Sequence, residues 1–184
     1  MRRHTIYCSI IACLGLIAAC GESPAQGSRI AFDDFLRGAE KCVYSKDFLA
    51  FADSMLQKYH NDAGSVKTRV RPNVVVRVPA AIKPGFGRPQ SQNRGEFTRV
   101  RVPLTGDWRG LALRGLEIHM GNENGLSEMT IRFSAPRASV IKAFSADVNA
   151  GARAIKAKPA AEPAGQSLQV LPGEPGGIRC ESST

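Results

Sequence analysis

The side chains best suited to acid–base or metal chemistry are Glu117 and His119, which lie two positions apart. On a β-strand, that spacing places a carboxylate and an imidazole on the same face, where they could begin a metal site. No third ligand stands at a recognisable spacing from them. We therefore expect a solvated sheet face at this position, with no bound metal and no cofactor.

Nucleophilic chemistry has little more support in the sequence. The chain has no Gly-x-Ser-x-Gly elbow, and neither His60 nor His119 stands in a context typical of a catalytic base. Gly85, Gly87 and Gly95 do not match the spacing of a phosphate-binding loop. The members of a Ser/His/Asp triad come together only in the folded protein, so the sequence alone does not exclude one. These observations favour a binding protein over an enzyme.

The elements that would position these residues follow an α+β order. Apolar stripes at helical spacing predict a helix over 32–43 and a second from an N-cap at Ser45 to about His60, with one kinked helix as the alternative. A third helix is predicted from Ala135-Pro136 to Gly151. Period-two alternation predicts strands within 66–78, over 97–104 and over 126–133, and another that follows 108–110 and includes 116–120. Residues 167–171 and 178–180 are predicted to form a terminal hairpin. We expect N-terminal helices, an antiparallel sheet of about four to six strands and one further helix packed on it.

Two stretches show neither the helical nor the strand pattern of apolar residues. Residues 79–94 contain three prolines and two glycines, and we predict a long loop there. Residues 156–165 are rich in alanine, proline and lysine, which is typical of a linker.

The amino terminus has the organisation of an export signal. Arg2 and Arg3 precede a run of about thirteen mostly apolar residues, 7–19. This run is too short to span a bilayer of about 30 Å as a helix, but it has the length of a signal-peptide core. Ile17-Ala18-Ala19-Cys20 closes the run and resembles the lipobox of a bacterial lipoprotein. The resemblance implies cleavage before Cys20, diacylation of its sulfur and acylation of the new amine.

The same resemblance implies a location and a division of the chain. Gly21 stands where an aspartate would retain an enteric-type lipoprotein in the inner membrane, so we expect an outer-membrane anchor facing the periplasm. Residues 1–19 would be the signal peptide, 20–30 a lipidated tether and 31–184 a single α+β domain. The alternatives are an ordinary secretory signal cut nearby and an uncut anchor. Ile10-Ile11-Ala12-Cys13 is a second, weaker match.

The expected periplasmic location predicts the oxidation state of the cysteines. The chain has five cysteines, and cleavage would leave Cys20, Cys42 and Cys180. With Cys20 lipidated, an even pair remains in an oxidising environment, which predicts a disulfide between Cys42 and Cys180. The alternative is two unpaired buried thiols.

Positive charge is concentrated in one part of the chain. The formal net charge is +9, and residues 67–114 hold nine arginines and two lysines against Glu96 and Asp107. A basic patch often binds nucleic acid, but the periplasm does not normally offer that partner. We expect an anionic lipid headgroup, an acidic cell-wall polymer or an acidic protein instead.

The candidate partner-binding residues come from this basic stretch. Val100 and Val102 should point into the core. Arg99 and Arg101 alternate with them along the strand and should therefore face outward. Arginine favours carboxylate and phosphate recognition because its planar fork donates two parallel hydrogen bonds. The predicted site comprises Arg99, Arg101, Lys83, Arg88, Arg94 and Trp108. For Trp108, the only tryptophan and one that stands beside a turn, packing in the core is the alternative.

The sequence thus predicts a membrane-attached, non-enzymatic binding module for an acidic envelope partner, with an inhibitor or immunity protein as one form. The inhibitor or immunity role is suggested by the size of the domain, its anchor and its disulfide-linked sheet. A fold alone does not fix function, so these features do not identify the partner. The alternatives are a small envelope hydrolase acting on cell wall or lipid, and a structural or assembly lipoprotein.

Overall fold

The computed structural model describes residues 29–61, 69–122, 127–157 and 166–182. The predicted signal peptide, Cys20 and nearly all of the tether lie outside the described residues. So do the tip of the hairpin before Ser127 and most of the predicted linker.

A seven-stranded antiparallel sheet forms the frame of the domain, and the predicted α+β class is confirmed. Six strands run in the order β1-β2-β4-β5-β7-β6, and the short β3 pairs with β4 off this path. The strands are β1 Gln90–Asn93, β2 Phe97–Pro103, β3 Asp107–Trp108, β4 Leu111–Gly121, β5 Ser127–Phe133, β6 Gln166–Val170 and β7 Gly177–Ser182.

The helices pack against one face of this sheet and share a single apolar core with it. Inward residues of β2, β4 and β5 alternate along each strand, as the sequence predicted, and meet aromatic side chains from the helices. The helices are α1 Asp33–Leu36, α2 Lys46–Tyr59 and α3 Arg137–Lys156, with 3-10 turns at Ala39–Lys41 and Lys83–Gly85. Ser45 caps α2 as expected, because its Oγ accepts a hydrogen bond from the Phe48 amide at 3.1 Å.

The helix predicted over 32–43 is wrong in length. It ends at Leu36 because Gly38 adopts a left-handed conformation with φ 84°. A 3-10 turn follows, and Cys42 itself is left-handed with φ 55°. Cys42 therefore lies beyond the helix and not on its apolar stripe. The predicted disulfide is confirmed, with Cα atoms 5.7 Å apart, and it ties β7 to the segment after α1.

The strand predicted within 66–78 is also wrong. Val74, Val76 and Val78 are half-buried on alternate positions, but the described part of this segment pairs with no strand. Side chains of α2 hold it instead: Lys58 Nζ donates to the Val74 carbonyl, and Ser54 Oγ accepts from the Arg77 amide at 2.9 Å. Alternation reports which side of a segment is buried, but it does not identify a hydrogen-bonding partner.

Two further boundaries differ from the sequence prediction. Residues 79–94 are not a plain loop, because they include a 3-10 turn and the edge strand β1. Helix α3 does not stop at Gly151 but continues to Lys156. A Cβ at position 151 would lie 2.8 Å from both the Lys41 Cα and a Leu168 methyl carbon, so this glycine allows close packing and does not end the helix.

Candidate functional site

One face of the sheet carries none of the described helices and is covered by polar side chains. We call this face of the sheet the open face. The strand registers align its polar side chains in two complete rows across the sheet. The first row is Gln90, Arg101, Glu117, Thr130, Arg179 and Gln169; the second is Gln92, Arg99, His119, Glu128, Glu181 and Ser167.

Glu117 is at the centre of an ion-pair network on the open face. Arg101 Nε donates to its Oε2 at 2.9 Å, His119 Nε2 lies 2.9 Å from its Oε1, and Arg132 Nε lies 3.9 Å from its Oε2. Burial raises the pKa of Glu117, since its side chain is only 9 % exposed. The hydrogen bonds from Arg101 and His119 and the charges of Arg101 and Arg132 outweigh burial and lower the pKa below its usual value. The carboxylate is therefore ionised and fixed in place.

Glu128 extends the network toward β7. Its carboxylate lies 3.7 Å from His119 Nδ1 and 3.6 Å from Arg179 Nη1, and it accepts a hydrogen bond from Thr130 Oγ1 at 3.1 Å. Cations and anions are thus interspersed across the sheet. The open face is not the uniformly basic surface that composition suggested, because the carboxylates of Glu117, Glu128 and Glu181 lie among its arginines.

A β-bulge changes the side-chain pattern at one end of the open face. The register between β4 and β5 shifts at Leu113/Gly115, so Arg114 is an extra residue beside the pair formed by Gly115 and Arg132. Arg101, Arg114 and Arg132 consequently line one groove of about 520 Å³. Glu174 and Pro175, from the turn before β7, also line it.

The predicted partner-binding residues do not form one surface. Arg99 and Arg101 lie together on the open face, where Arg99 Nη2 donates to Gln92 Oε1 at 2.8 Å. Arg94 lies in the turn between β1 and β2, and Lys83 lies in the second 3-10 turn. Arg88 is close enough to Tyr59 of α2 to oppose the burial that raises the pKa of that phenol. We retain Arg99 and Arg101 as candidates on the open face.

Trp108 does not belong to any surface, and its prediction as a partner-binding residue is corrected. Its side chain is 1 % exposed and packs on Phe144 and Phe133, with ring centroids 4.5 and 6.0 Å away. The position of Trp108 in β3 directs the indole into the core.

Other arginines of the basic stretch stabilise the fold. Arg71 Nη1 donates to the carbonyls of Gln57 and His60 at 3.0 and 2.9 Å. Arg109 binds the carboxylates of Glu40 and Asp147, each at 2.7 Å. The local charge excess therefore overstated the number of arginines available to a partner.

The histidines have specific partners. His60 Nε2 lies 3.2 Å from the Gly121 carbonyl oxygen, whereas His119 is flanked by Glu117 and Glu128. Across the described ranges, no cluster of three or more histidine, cysteine, aspartate or glutamate side chains could hold a metal ion. Within the same ranges, no helix is long and apolar enough to cross a membrane.

Sequence reasoning missed Arg114 and Arg179 as members of the candidate surface. Alternation along 126–133 places Arg132 on the outward face, and the same alternation applied to 178–180 would have located Arg179. Arg114 had no such signal, because it depends on the bulge.

Comparison with known proteins gives no relative from which a function could be transferred: no protein-family model matches the chain, and no curated protein or solved structure matches it either.

Proposed function

We propose that this domain is a non-enzymatic binding module of the bacterial cell envelope that holds an acidic partner on its open face. The observation that carries the proposal is that the helices cover one side of the sheet, while the other presents Arg99, Arg101 and Arg179 in its two rows and Arg132 next to the first row. Arg101 is 55 % exposed and Arg132 is 41 % exposed, so both are accessible to a partner.

The ion-pair network supports recognition over mere solvation. Glu117 and Glu128 hold the surrounding arginines in defined positions before any partner arrives. A flexible surface arginine loses rotamer freedom when it binds, and prior ordering reduces that loss. The open face therefore offers guanidinium groups at a reduced entropic cost.

An anchored location fits this activity. The lipobox resemblance at Cys20 would attach the domain to the outer membrane by its acyl chains, facing the periplasm. A small disulfide-linked domain in that position suits an inhibitor or immunity protein against an envelope-attacking enzyme. A binding face for an acidic protein is the property that such a role requires.

Capture from solubilised envelope tests the proposal. The lipid-free domain should retain an acidic component at low salt, and replacing Arg99 and Arg101 with glutamine should reduce that capture. Replacing Arg153 and Lys156, two exposed residues of α3, removes the same charge from the opposite side of the domain and serves as the control.

The small envelope hydrolase is a second candidate because Glu117 and His119 form a carboxylate–imidazole pair. None of the described contacts joins either His60 or His119 to a serine, threonine or cysteine side chain. A binding module retains its capture when both histidines are replaced by glutamine, whereas a hydrolase that depends on them loses turnover of cell wall or lipid.

A further inference from the structure

The groove at the bulge is a concave feature of the open face with a volume of about 520 Å³. Backbone forms part of its lining, because Gly115 has no side chain and a Cβ there would lie 2.8 Å from the Val102 carbonyl oxygen. The walls are three arginines from three neighbouring strands: Arg101 of β2, Arg114 of β4 and Arg132 of β5. Pro103 and Pro175 add apolar surface at its sides.

The three guanidinium groups have unused donors. Arg101 donates to Glu117 only through its Nε, and its terminal nitrogens have no protein acceptor within the described part of the chain. Arg132 approaches Glu117 no closer than 3.9 Å. Arg114 makes no side-chain hydrogen bond or ion pair with any described residue. Each arginine can therefore still donate to an incoming oxyanion.

The chain itself shows that a carboxylate fits between two of these arginines. Glu117 Oε2 is 2.9 Å from Arg101 Nε and 3.9 Å from Arg132 Nε, at the base of the groove. A second carboxylate entering from solvent would meet the terminal nitrogens of the same pair, with Arg114 beside them. The fixed charge of Glu117 would repel it and so weaken its binding.

We infer that this groove is a carboxylate-binding subsite for a glutamate- or aspartate-rich segment of a protein partner. The inference deepens the proposed function and rests on it, since it assumes that the open face is the binding face. A protruding peptide side chain reaches donors that line a concavity, whereas a flat bilayer surface meets chiefly the rim. Arginine's planar fork also matches the two oxygens of a carboxylate.

The test uses the lipid-free domain, from residue 21 to the end, and a fluorescently labelled hexaglutamate peptide as the probe. Binding is measured by anisotropy at low salt. Arg114→Gln and Arg132→Gln should each weaken binding about fivefold or more, because each removes a charged donor. Glu117→Gln should strengthen it, because removing a negative charge next to the incoming carboxylate outweighs the weaker ordering of Arg101.

Matched controls separate the groove from general electrostatics. Arg153→Gln removes one positive charge from α3, and Glu96→Gln removes one negative charge from the turn between β1 and β2; neither should alter peptide affinity by more than about twofold. Arg114→Lys keeps the charge but loses the fork, so it should bind more weakly than wild type. Circular dichroism establishes that each variant is folded.

The outcomes decide the inference in either direction. Peptide binding that follows Arg114, Arg132 and Glu117 as described supports the groove. Equal weakening by Arg153→Gln, or arginine-dependent binding to phosphatidylglycerol vesicles without binding to the peptide, overturns it. If envelope capture depends on Arg99 and Arg101 while Arg114 and Arg132 have no effect on peptide affinity, the groove is rejected and the proposed function survives. If Arg99 and Arg101 do not affect capture, the proposed function fails on its own test.

Discussion

Arg101 and Glu117 face each other across β2 and β4, and the Arg101 Nε donates to the Glu117 Oε2 at 2.9 Å. Arg101 remains largely solvent-exposed in this pair, whereas the carboxylate is nearly buried. The same contact thus stabilises the sheet and presents a guanidinium group to solvent. Folding and partner binding therefore share this residue.

The pH dependence of stability should report on Glu117. Its pKa is lower in the folded protein than the usual value of 4.5, so its ionised form stabilises the fold. That contribution is complete above the unfolded pKa and is lost as the pH falls through the lower folded pKa. We expect Glu117→Gln to reduce the free energy of unfolding by about 1–2 kcal/mol at pH 7. Urea unfolding at pH 7 and near pH 3 should show this difference shrinking, and a difference independent of pH would contradict the assignment.

Arg109 should be among the most sensitive arginines of the chain. It binds the Glu40 carboxylate, whose side chain is 6 % exposed, and also Asp147, and it lies 4.9 Å above the Phe144 ring. Arg109→Ala leaves a buried carboxylate without its partner, so we expect a loss of about 3 kcal/mol in the free energy of unfolding. Adding Glu40→Gln to that variant should recover part of the loss. A loss no larger than that of the exposed Arg37→Ala would show that the network is not stabilising.

The disulfide should stabilise the domain by restricting its unfolded state. Cys42 and Cys180 are 138 residues apart in sequence, and a loop of that size corresponds to about 4–5 kcal/mol in the chain-entropy model. Replacing both cysteines with alanine should lower the free energy of unfolding by up to this amount. Alkylation of the unreduced wild-type protein should leave both residues unmodified. Two alkylated cysteines without prior reduction would contradict the pairing.

Lipidation of Cys20 remains a prediction from the lipobox resemblance. Cys20→Ser should produce a protein that is lost from the membrane fraction or accumulates unprocessed. Metabolic labelling with a fatty acid measures this directly, because only the wild type should incorporate the label. A wild type that takes up no label and begins at another residue would show an ordinary secretory signal.

Periodicity predicted well the parts of the fold in which burial alone fixes the structure. Val100 and Val102 face the core, and Arg99 and Arg101 face outward, because alternation along a strand assigns each side chain to one face. It failed for Val74, Val76 and Val78, which alternate without joining the sheet. It also gave no signal for β1, whose polar Gln90–Asn93 segment is an edge strand with little apolar surface to bury.

The candidate site was only partly predictable for a related reason. Arg99 and Arg101 follow from local alternation, but Arg114 joins them only because a bulge adds a residue between Leu113 and Gly115. The neutralising role of Glu117 and Glu128 depends on the registers of four strands, β2, β4, β5 and β7, which a single sequence does not encode in any local pattern. Trp108 was misplaced because the sequence does not show which way a two-residue strand points its side chains.

Capture of an acidic envelope component by the open face is the most direct test of the account. The immobilised lipid-free domain is exposed to solubilised envelope at low and moderate salt, with folding of every variant checked by circular dichroism. The Arg99→Gln/Arg101→Gln variant should retain much less of the component than wild type, and wild-type capture should fall as salt rises because exposed charges are screened over about 8 Å at physiological ionic strength. The Arg153→Gln/Lys156→Gln control should match wild type. Undiminished capture by the folded Arg99→Gln/Arg101→Gln variant would contradict the proposal that this face binds the partner.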